Sequence, residues 1–296
     1  MTQKHYKVQS LKPHWLRRRL SSELEIRNIY QLLRDSELHT VCEEAVCPNI
    51  FECFKKHTAT FLILGKYCTR NCSFCAVEHG PPTMFDPDEG TRVALAVKKL
   101  GLQYVVVTSV TRDDLEDGGA TGFVSTINAL RREIENIRVE VLVPDFKGDF
   151  LALDMVLDAQ PDMLNHNIET IARFYPVARP GANYQRSLKL LSHGANRYPN
   201  IPTKSGMMLG LGESETETIE VFSDLLSAGV KILTIGQYLQ PSKNHLPVVR
   251  YLPPEEFENW RIEALNMGFK AVASGCFVRS SYQGKELYNN IVSGKI

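Results

Sequence analysis

The cysteines of this chain are concentrated in one short stretch. Six of the seven form two groups of three, spaced C-x4-C-x5-C and C-x3-C-x2-C. The first group is Cys42, Cys47 and Cys53, and the second is Cys68, Cys72 and Cys75. In a reducing compartment, thiols clustered in this way are more often metal ligands or catalytic groups than disulfides. The fold is therefore expected to present two sets of metal ligands on neighbouring segments.

The reducing compartment is an expectation from the sequence as a whole. The first twenty residues contain basic side chains but no apolar segment of signal-peptide length and no small-residue cleavage site. The chain also lacks a run of about 18 apolar residues, the length that a membrane-spanning helix needs. We therefore expect a cytoplasmic protein that does not enter a membrane.

The charge balance narrows the choice of partners. Lys and Arg number 34 among the 296 residues, and Asp and Glu also number 34, so the formal net charge is zero. Binding to the phosphates of a nucleic acid usually depends on a basic surface. The neutral balance therefore argues against a nucleic-acid-binding function.

The second cysteine group is placed as an active site. It directly follows FLILG, an apolar run that predicts a strand, and ligands of parallel α/β proteins bind beyond the carboxyl ends of the strands. An iron–sulfur cluster usually takes four cysteine ligands, so a loop with three leaves one iron open to an outside ligand. The rival interpretations are a zinc site closed by His79 and a group of buried structural cysteines.

Beyond the cysteines, β-rich runs alternate with helical patterns. Six strands are predicted, separated by periodic apolar stretches long enough for crossover helices. The predicted strands are residues 60–64, 104–108, 138–143, 162–165, 205–209 and 231–235. This alternation predicts a parallel sheet, either open and doubly wound or closed into a complete or partial barrel. In each case the site belongs at the carboxyl ends of the strands.

Two helix starts carry a capping signal. Ser22 with Glu25, and Ser214 with Glu217, match the S-x-x-E capping box ahead of apolar residues at helical spacing. Gly229 is placed to end the second of these helices. Both segments are therefore predicted to be helical.

The C-x3-C-x2-C loop after an early strand resembles the radical S-adenosylmethionine superfamily. The resemblance implies an α/β fold with a partial (β/α)6 TIM-type barrel, in which the methionyl amino and carboxylate groups chelate the open iron. In that superfamily the reduced cluster donates an electron, the carbon–sulfur bond of the cofactor breaks, and a 5'-deoxyadenosyl radical removes an unactivated hydrogen. The cofactor carries the hard chemistry, and the protein positions it.

A more specific resemblance runs from about residue 10 to residue 285. Successive segments resemble the lipoyl synthase family. They include VCEEAVCPNIFECF, VVVTSVTRDDLEDGGA, NHNIET, RPGANYQRSLKLL, PTKSGMMLGLGE, GQYLQPSKNHLPVVRY and FVRSSY. The resemblance implies a sulfurtransferase that inserts two sulfur atoms at C6 and C8 of a protein-bound octanoyl-lysine. Two S-adenosylmethionine molecules are consumed, and a second, auxiliary 4Fe-4S cluster supplies the sulfur.

The resemblance also implies partners and an organisation. The substrate is an octanoylated lipoyl carrier domain, from the E2 subunit of a 2-oxoacid dehydrogenase or the H protein of glycine cleavage. A reductant such as ferredoxin or flavodoxin and an iron–sulfur carrier protein for cluster repair are further expected partners. We divide one compact domain into an N-terminal cluster-binding extension, residues 1–57, the barrel, residues 58–275, and a C-terminal closing segment, residues 276–296.

The resemblance assigns the two cysteine groups to the two clusters. The second group (Cys68, Cys72 and Cys75) becomes the radical-cluster cysteines, and the first (Cys42, Cys47 and Cys53) the auxiliary-cluster cysteines. On residues alone, the fourth auxiliary ligand is Cys276, because thiolate suits iron better than hydroxyl does. The family instead uses the second serine of an R-S-S-Y motif, here Ser281, and we follow the family. Cys276, where the family usually has proline, is then a packed small hydrophobe.

Polar residues and glycines near later strand ends are candidate cofactor contacts. They are Thr108, Ser109, Asp113, Asn165, Asn167, Gly210 and Gly212. The rival interpretations are a solvated acidic loop around Asp113, a packed core histidine at His166, and an ordinary strand-to-helix turn at the glycines. Each of these positions therefore has both a functional and a structural interpretation.

Three further residues are candidates for orienting the substrate or cofactor. They are Arg179 in the RPG segment, and Arg279 and Tyr282 in the RSSY segment. Arginine can bind a carboxylate through two parallel hydrogen bonds. The basic run at residues 17–19 could attract an acidic carrier domain, or form a solvated arm.

Two other functions remain as alternatives. One is another sulfur-inserting radical enzyme, acting on a free vitamin precursor or on transfer RNA, and the neutral charge argues against the RNA substrate. The other is a non-catalytic iron–sulfur or zinc scaffold or electron carrier, which would need closed four-ligand sites. Two groups of only three cysteines disfavour it.

Overall fold

The structure is a computed structural model. It describes residues 12–16, 30–44, 49, 52–53, 56 and 58–293, without the side chains of residues 42 and 44. Several predictions lie outside the described residues. They are the capping box at Ser22 and Glu25, the basic run at residues 17–19, Cys47 and the side chain of Cys42. Residues 30–35, at the end of the first predicted helix, are helical.

Eight strands form one sheet in the order in which they occur along the chain. They are β1 (His39–Thr40), β2 (Thr58–Ile63), β3 (Tyr104–Ser109), β4 (Arg138–Leu142), β5 (Met163–Asn165), β6 (Thr203–Leu209), β7 (Ile232–Gln237) and β8 (Ala271–Gly275). β1 is antiparallel to β2, and every later neighbouring pair is parallel. Among the described strands, none joins β8 back to β1, so the sheet is an open, partial barrel. The α/β class and the partial barrel are confirmed.

The predicted strand count was two short. The six predicted strands are β2 to β7, and the structure adds β1 and β8 at the two edges. β1 has only two residues, and β8 has the sequence AVASG, whose small side chains carry little strand preference. Pairing with β7 supplies the hydrogen bonds of β8. Tertiary context, rather than local pattern, makes it a strand.

The helices follow the strands as crossover connections. They are α1 (Val41–Glu44), α2 (Glu89–Lys99), α3 (Ala120–Glu133), α4 (Phe150–Asp158), α5 (Tyr175–Ala178), α6 (Tyr184–Arg197), α7 (Glu215–Ser227), α8 (Pro254–Met267) and α9 (Gly284–Val292). The capping box of Ser214 and Glu217 is confirmed at the start of α7, and Gly229 follows the end of that helix with φ of +82°. None of the helices described is long and apolar enough to cross a membrane.

The two faces of the sheet bury different residues. In β3, Val105 and Val107 pack with the surrounding helices, whereas Tyr104 and Val106 belong to a separate cluster inside the barrel. Leu287 of α9 packs in this inner cluster. Because Tyr104 is the first residue of β3, the C-terminal helix lies near the amino ends of the strands. The cysteine loop lies at the opposite, carboxyl ends.

Candidate active site

The cluster loop, residues 65–80, begins where β2 ends. Leu64 and Gly65 have φ of +70° and +85°, which turns the chain sharply out of the strand. Glycine adopts this conformation at no steric cost, whereas leucine rarely does. Further along, Cys68 donates its backbone N–H to the carbonyl of Glu78 over 2.9 Å. The loop is therefore held together by its own backbone.

Segments that follow three other strands hold the cluster loop in place. The N–H and the hydroxyl of Thr69 both donate to the carbonyl of Thr111, after β3, over 3.0 and 2.8 Å. Ser73 donates its N–H to the carbonyl of Ala178, after β5, over 3.0 Å. Its own carbonyl accepts the N–H of Leu246, after β7, over 2.9 Å. The loop is thus fixed by the carboxyl ends of the sheet.

Burial and nearby charge shape the thiols of the loop. The Sγ atom of Cys68 accepts two backbone N–H groups, at 3.4 and 3.3 Å. Burial raises the pKa of Cys75 to about 12. Burial also raises the pKa of Cys72, and the Arg179 guanidinium opposes this rise. Metal coordination deprotonates a thiol outright, so thiols that burial keeps protonated become thiolates once they ligate a metal. The donor set therefore fits a metal cluster.

The rival zinc site would need His79 as its fourth ligand. His79 is exposed and pairs through its backbone with Cys68. In the part of the chain that the structure describes, no three Cys, His, Asp or Glu side chains lie so that they could hold one metal ion. A four-iron cluster instead spreads its cysteine ligands over separate irons. The described residues therefore give no support to a zinc site closed by His79.

Asp113 does not offer an unpaired carboxylate. Arg70, which lies between the first two cysteines of the loop, donates to both oxygens of Asp113 over 2.7 and 2.9 Å. The same guanidinium lies 2.7 Å from Oδ1 of Asp145, whose side chain is fully buried. The three side chains tie the cluster loop to the segments after β3 and β4. A cofactor contact by Asp113 stays a prediction, beside this structural role.

Four predicted side chains end in buried polar atoms with no hydrogen-bond partner among the described residues. These atoms are Oγ of Ser109, Oδ1 of Asn165, Oδ1 of Asn167 and Nε of Arg179. An unpaired buried polar group costs roughly 1–3 kcal/mol, so such groups are usually completed by a ligand or water. Ser109 and Asn165 are the last residues of β3 and β5. The four atoms fit a polar cofactor at the carboxyl ends of the strands.

Three other predicted positions have structural contacts. The hydroxyl of Thr108 donates to the carbonyl of Leu142 over 2.8 Å and so links β3 to β4. Gly210 and Gly212 have φ of +104° and +108°, and a Cβ at Gly210 would collide with the side chain of Gln237. The glycines therefore form a tight strand-to-helix turn, and their approach to an adenosine group stays a prediction.

His166 is a packed core histidine. It is 1% exposed, its Nδ1 lies 2.8 Å from the carbonyl oxygen of Val143, and its Nε2 lies 2.9 Å from Oγ of Ser187. Burial, with the Arg179 guanidinium nearby, lowers the pKa of His166 to about 4. Both ring nitrogens are engaged, so the structure supports the core interpretation rather than a ligand role.

The C-terminal segment contacts the segment that carries the first cysteine group. Asn49 donates from Nδ2 to the carbonyl of Phe277 over 2.5 Å, and the Tyr282 hydroxyl donates to Oε1 of Glu52 over 2.8 Å. Cys53 donates its backbone N–H to the carbonyl of Asn49 over 3.0 Å. The RSSY motif and one auxiliary-cluster cysteine therefore lie in segments that touch each other.

Lys56 adds an ionic link between the same two segments. Its Nζ lies 3.3 Å from Glu52 and 3.1 Å from Glu286 of α9. Arg279 follows β8 in the chain, and its Nη1 donates to the carbonyl oxygens of Val278 and of Gln237, the last residue of β7, over 2.8 and 3.4 Å. The Cys53 segment therefore contacts the C-terminal segment at α9 as well as at the RSSY motif.

Comparison with known proteins agrees with this geometry. The Radical SAM superfamily model matches residues 62–225, which include the cluster loop. A lipoyl synthase of Desulfotalea psychrophila is 54% identical over 97% of this chain and 96% of its own length. Lipoyl synthases of Syntrophotalea carbinolica and Caldicellulosiruptor saccharolyticus are 53% and 52% identical, over 93% and 94% of this chain and 91% and 98% of theirs.

The chain belongs to the lipoyl synthase family. Solved structures of distant proteins share the fold of this family member. HydG, a maturase of the FeFe-hydrogenase, aligns with a TM-score of 0.56 and 13% identity over 88% of this chain and 74% of its own. Methylornithine synthase aligns with a TM-score of 0.53 and 12% identity over 93% and 90% of the two chains. Because the sequence identity is so low, these alignments show only that the partial-barrel fold is shared.

Cys276 lies in the core rather than at the candidate cluster sites. It is 7% exposed and belongs to the hydrophobic core cluster that contains Leu252, whose carbonyl lies 3.9 Å from its Sγ. This is the packing expected of a free cysteine that acts as a small hydrophobe. The burial confirms that interpretation, and the ligand role of Ser281 stays a prediction.

Sequence reasoning missed three side chains that shape this lipoyl synthase family site. Arg70 anchors the cluster loop, Glu169 accepts the amide N–H of Asn167 over 2.9 Å, and His245 Nε2 lies 2.9 Å from the carbonyl oxygen of Cys75. The available signal was position, because Arg70 lies inside the C-x3-C-x2-C motif and His245 inside PSKNHLPV. Their partners are distant in sequence, so the contacts themselves carried no local pattern.

Proposed function

We propose that this chain is a lipoyl synthase, a radical S-adenosylmethionine sulfurtransferase. It inserts two sulfur atoms at C6 and C8 of a protein-bound octanoyl-lysine. The observation that carries this conclusion is the 54% identity to a lipoyl synthase over 97% of this chain and 96% of the relative. Because the match covers nearly the whole of both proteins, it reflects more than a shared barrel fold. The cofactors are S-adenosylmethionine and two 4Fe-4S clusters.

The radical-cluster cysteines are proposed to hold the first cluster at the carboxyl end of β2. When bound, this cluster and S-adenosylmethionine supply the 5'-deoxyadenosyl radical that removes hydrogen from the octanoyl chain. The chain's own residues bind and orient the cofactor. Support comes from the unpaired buried atoms of Ser109, Asn165, Asn167 and Arg179, because a ligand with amino, carboxylate and hydroxyl groups can satisfy them. Gly210 and Gly212 are proposed to lie beside the adenosine group.

The auxiliary-cluster cysteines and Ser281 are proposed to hold the second cluster, which supplies the inserted sulfur. Support comes from the contacts that join the Cys53 segment to the RSSY segment. An alkoxide matches iron less well than a thiolate does, so a serine ligand would leave readily as the cluster is dismantled. Arg279 and Tyr282, in the same motif, are proposed to orient the substrate or cofactor.

The partners follow from the reaction. The substrate is an octanoylated lipoyl carrier domain, and we propose the E2 subunit of a 2-oxoacid dehydrogenase or the glycine cleavage H protein. Ferredoxin or flavodoxin is the proposed reductant, and an iron–sulfur carrier protein the proposed source of new clusters. We further propose a cytoplasmic location, and the division into residues 1–57, 58–275 and 276–296.

The test is a reaction with defined components. The full chain is reconstituted with iron and sulfide without oxygen, then given S-adenosylmethionine, a strong reductant and an octanoyl-lysine peptide. We expect 5'-deoxyadenosine and sulfur-bearing peptide in the mass spectrum. Changing Cys53 to alanine should remove the peptide sulfur and leave 5'-deoxyadenosine. If the unaltered chain forms 5'-deoxyadenosine but inserts no sulfur, the proposed substrate is wrong. That outcome would favour another radical S-adenosylmethionine enzyme.

A further inference from the structure

The segment that follows β7 reaches the cluster loop. This segment, residues 238–250 and called the β7 loop below, makes two hydrogen bonds to one short stretch of the cluster loop. Leu246 donates its backbone N–H to the carbonyl of Ser73 over 2.9 Å. Nε2 of His245 lies 2.9 Å from the carbonyl oxygen of Cys75. Two neighbouring residues of the β7 loop therefore contact two alternate residues of the cluster loop.

The contacted stretch is the turn between the last two cysteines of the motif. Cys75 donates its backbone N–H to the carbonyl of Cys72 over 3.0 Å, which closes this turn. On the side away from the β7 loop contacts, the Ser73 hydroxyl donates to the carbonyl of Val177, after β5, over 2.8 Å. Two of the three radical-cluster cysteines belong to the turn, so its shape sets the distance between their thiols.

The partners of the His245 ring fix its hydrogen and its orientation. A carbonyl oxygen only accepts hydrogen bonds, so Nε2 carries the hydrogen that faces Cys75. A neutral imidazole with its hydrogen on Nε2 accepts at Nδ1, and the Ser242 hydroxyl lies 2.9 Å from that atom. Oγ of Ser242 also accepts the backbone N–H of Asn244 over 3.3 Å. Both ring nitrogens thus have partners that hold the ring in one orientation.

The β7 loop is braced by its own side chains. The Tyr238 hydroxyl donates to the carbonyl of Leu246 over 2.7 Å, and Nε2 of Gln240 donates to the carbonyl of His245 over 2.9 Å. Residues 241–244, at the tip, are exposed, whereas His245 and Leu246 are half-buried. The two residues that contact the cluster loop are therefore held in place before any cluster binds.

A direct ligand role is the rival interpretation of a histidine beside a metal-binding cysteine. The Nε2 atom of His245 is occupied by the Cys75 carbonyl, and Nδ1 by Ser242. Among the described residues, no group of three Cys, His, Asp or Glu side chains that includes His245 could hold one metal ion. His245 therefore acts on the backbone of a ligand residue and not on iron.

We propose that His245 is a positioning residue of the radical cluster, which through the Cys75 carbonyl holds the C-x2-C turn in the shape that brings Cys72 and Cys75 to one cluster. Groups that orient metal ligands in this way usually change metal affinity by roughly 10- to 100-fold when they are removed. The positive end of the N–H dipole also faces a ligand residue, which favours an added electron on the cluster. The inference rests on the proposed function only in that the radical-cluster cysteines hold a 4Fe-4S cluster.

The test uses the full chain with the auxiliary-cluster cysteines changed to alanine, so that only the radical cluster contributes. It is reconstituted with iron and sulfide without oxygen, and contains no S-adenosylmethionine or octanoyl peptide. His245→Leu removes the hydrogen bond, and His245→Gln keeps an N–H donor near the position of Nε2. His79→Leu is the matched control, because His79 also lies beside a radical-cluster cysteine but is exposed and pairs with Cys68 only through its backbone.

Two properties are measured in each variant. They are the rate at which a chelator removes iron, and the reduction potential of the cluster, followed by electron paramagnetic resonance. We expect His245→Leu to lose iron about tenfold faster or more, and to have a more negative potential. His245→Gln should restore both values to near those of the unaltered chain, and His79→Leu should change neither. Unaltered values in His245→Leu, or equal losses in the leucine and glutamine variants, would overturn the proposal.

A milder variant keeps the proposal testable if His245→Leu does not fold. Ser242→Ala removes the partner of Nδ1 and leaves the donor in place, so it should shift both properties in the same direction by a smaller amount. No shift in Ser242→Ala would then contradict the proposal. Sulfur insertion is not a readout, so a chain that behaves as expected here but fails to thiolate the octanoyl peptide would sink the proposed function alone. A chain whose radical-cluster cysteines bind no cluster would overturn both.

Discussion

The Tyr282 hydroxyl donates to Oε1 of Glu52 over 2.8 Å, although the two residues are 230 positions apart. Tyr282 belongs to the RSSY motif, and Glu52 immediately precedes Cys53. The contact joins the C-terminal segment to the segment of the first cysteine group. If Ser281 completes the auxiliary cluster, this hydrogen bond helps to hold its two ligand segments together.

Changing Tyr282 to phenylalanine should weaken this junction. We expect a loss of about 1 kcal/mol in the free energy of unfolding, the usual value of one hydrogen bond, and less iron in the auxiliary site. Iron is measured in a background where the radical-cluster cysteines are alanine, so that only the auxiliary cluster contributes. Tyr198→Phe is the matched control, because the Tyr198 hydroxyl also donates to a carboxylate, Asp158, over 2.8 Å. Equal iron loss in both variants would contradict the prediction.

The fourth ligand of the auxiliary cluster can be tested with two small substitutions. Ser281→Ala should lower the iron content by up to about four atoms per chain, the content of one cluster. Cys276→Ala should leave both clusters in place, because Cys276 packs as a small hydrophobe in the core. Iron and acid-labile sulfide are measured after anaerobic reconstitution. Loss of a cluster in Cys276→Ala alone would favour the thiol as ligand and reject Ser281.

Arg70→Lys should loosen the cluster loop. Lysine cannot reproduce the two-point contact of Arg70 with Asp113, and the site is nearly closed to water, with the Arg70 side chain 7% exposed. We expect the rate of 5'-deoxyadenosine formation to fall about tenfold or more, since hydrogen bonds to charged groups contribute roughly 1.5–3 kcal/mol. Deoxyadenosine is quantified by chromatography at equal cluster loading.

The matched control for Arg70 is Arg173→Lys. Arg173 also makes a two-point contact, with Glu217 at 2.7 and 3.0 Å, but its side chain is 55% exposed. Exposed ion pairs contribute little, so this variant should keep the unaltered rate. An equal decline in both variants would show that the effect does not come from the cluster loop.

Gly210→Ala should be far more damaging than Gly101→Ala. Both glycines have positive φ, but a Cβ at Gly210 would collide with Gln237 and the carbonyl of Arg250, whereas nothing lies within 4 Å of a Cβ at Gly101. We expect Gly101→Ala to cost about 1 kcal/mol from backbone strain, and Gly210→Ala several times that amount. Urea unfolding measures both. Similar losses of unfolding free energy in the two variants would mean that the turn after β6 shifts easily to make room for the added methyl group.

His166 should make the free energy of unfolding decrease in mildly acidic solution. Its folded pKa of about 4 lies below the ordinary value of 6.5, so the unfolded chain binds a proton more readily in that range. The full contribution is present above pH 6.5 and is lost as the pH falls towards 4, by an amount on the order of 3 kcal/mol. Urea unfolding at several pH values, compared with His166→Gln, measures the difference. Parallel pH profiles of the two proteins would contradict the assignment.

Much of the fold was readable from local pattern. The six strands β2 to β7 were predicted because each is a short apolar run before a helical period, and the α7 cap was predicted from Ser214 and Glu217 alone. β8 was not predicted, because its small side chains give no strand signal until β7 lies beside it. Strands and helices with a strong local pattern could therefore be predicted from the sequence. The two edge strands of the sheet could not, because they depend on their neighbours.

Residue identity and spacing alone predicted a metal-ligand set at one strand end of this protein. Three cysteines at C-x3-C-x2-C spacing after a predicted strand are enough for this prediction, because side chains that follow a parallel strand lie where ligands bind. The tertiary structure decided which polar groups at the ends of the strands are paired and which are left without a partner among the described residues. Asn165 and His166 are neighbours in sequence, yet His166 has both ring nitrogens engaged and Asn165 keeps an unpaired oxygen. The difference comes from Glu140, Val143 and Ser187, partners that only the folded sheet brings within hydrogen-bond distance.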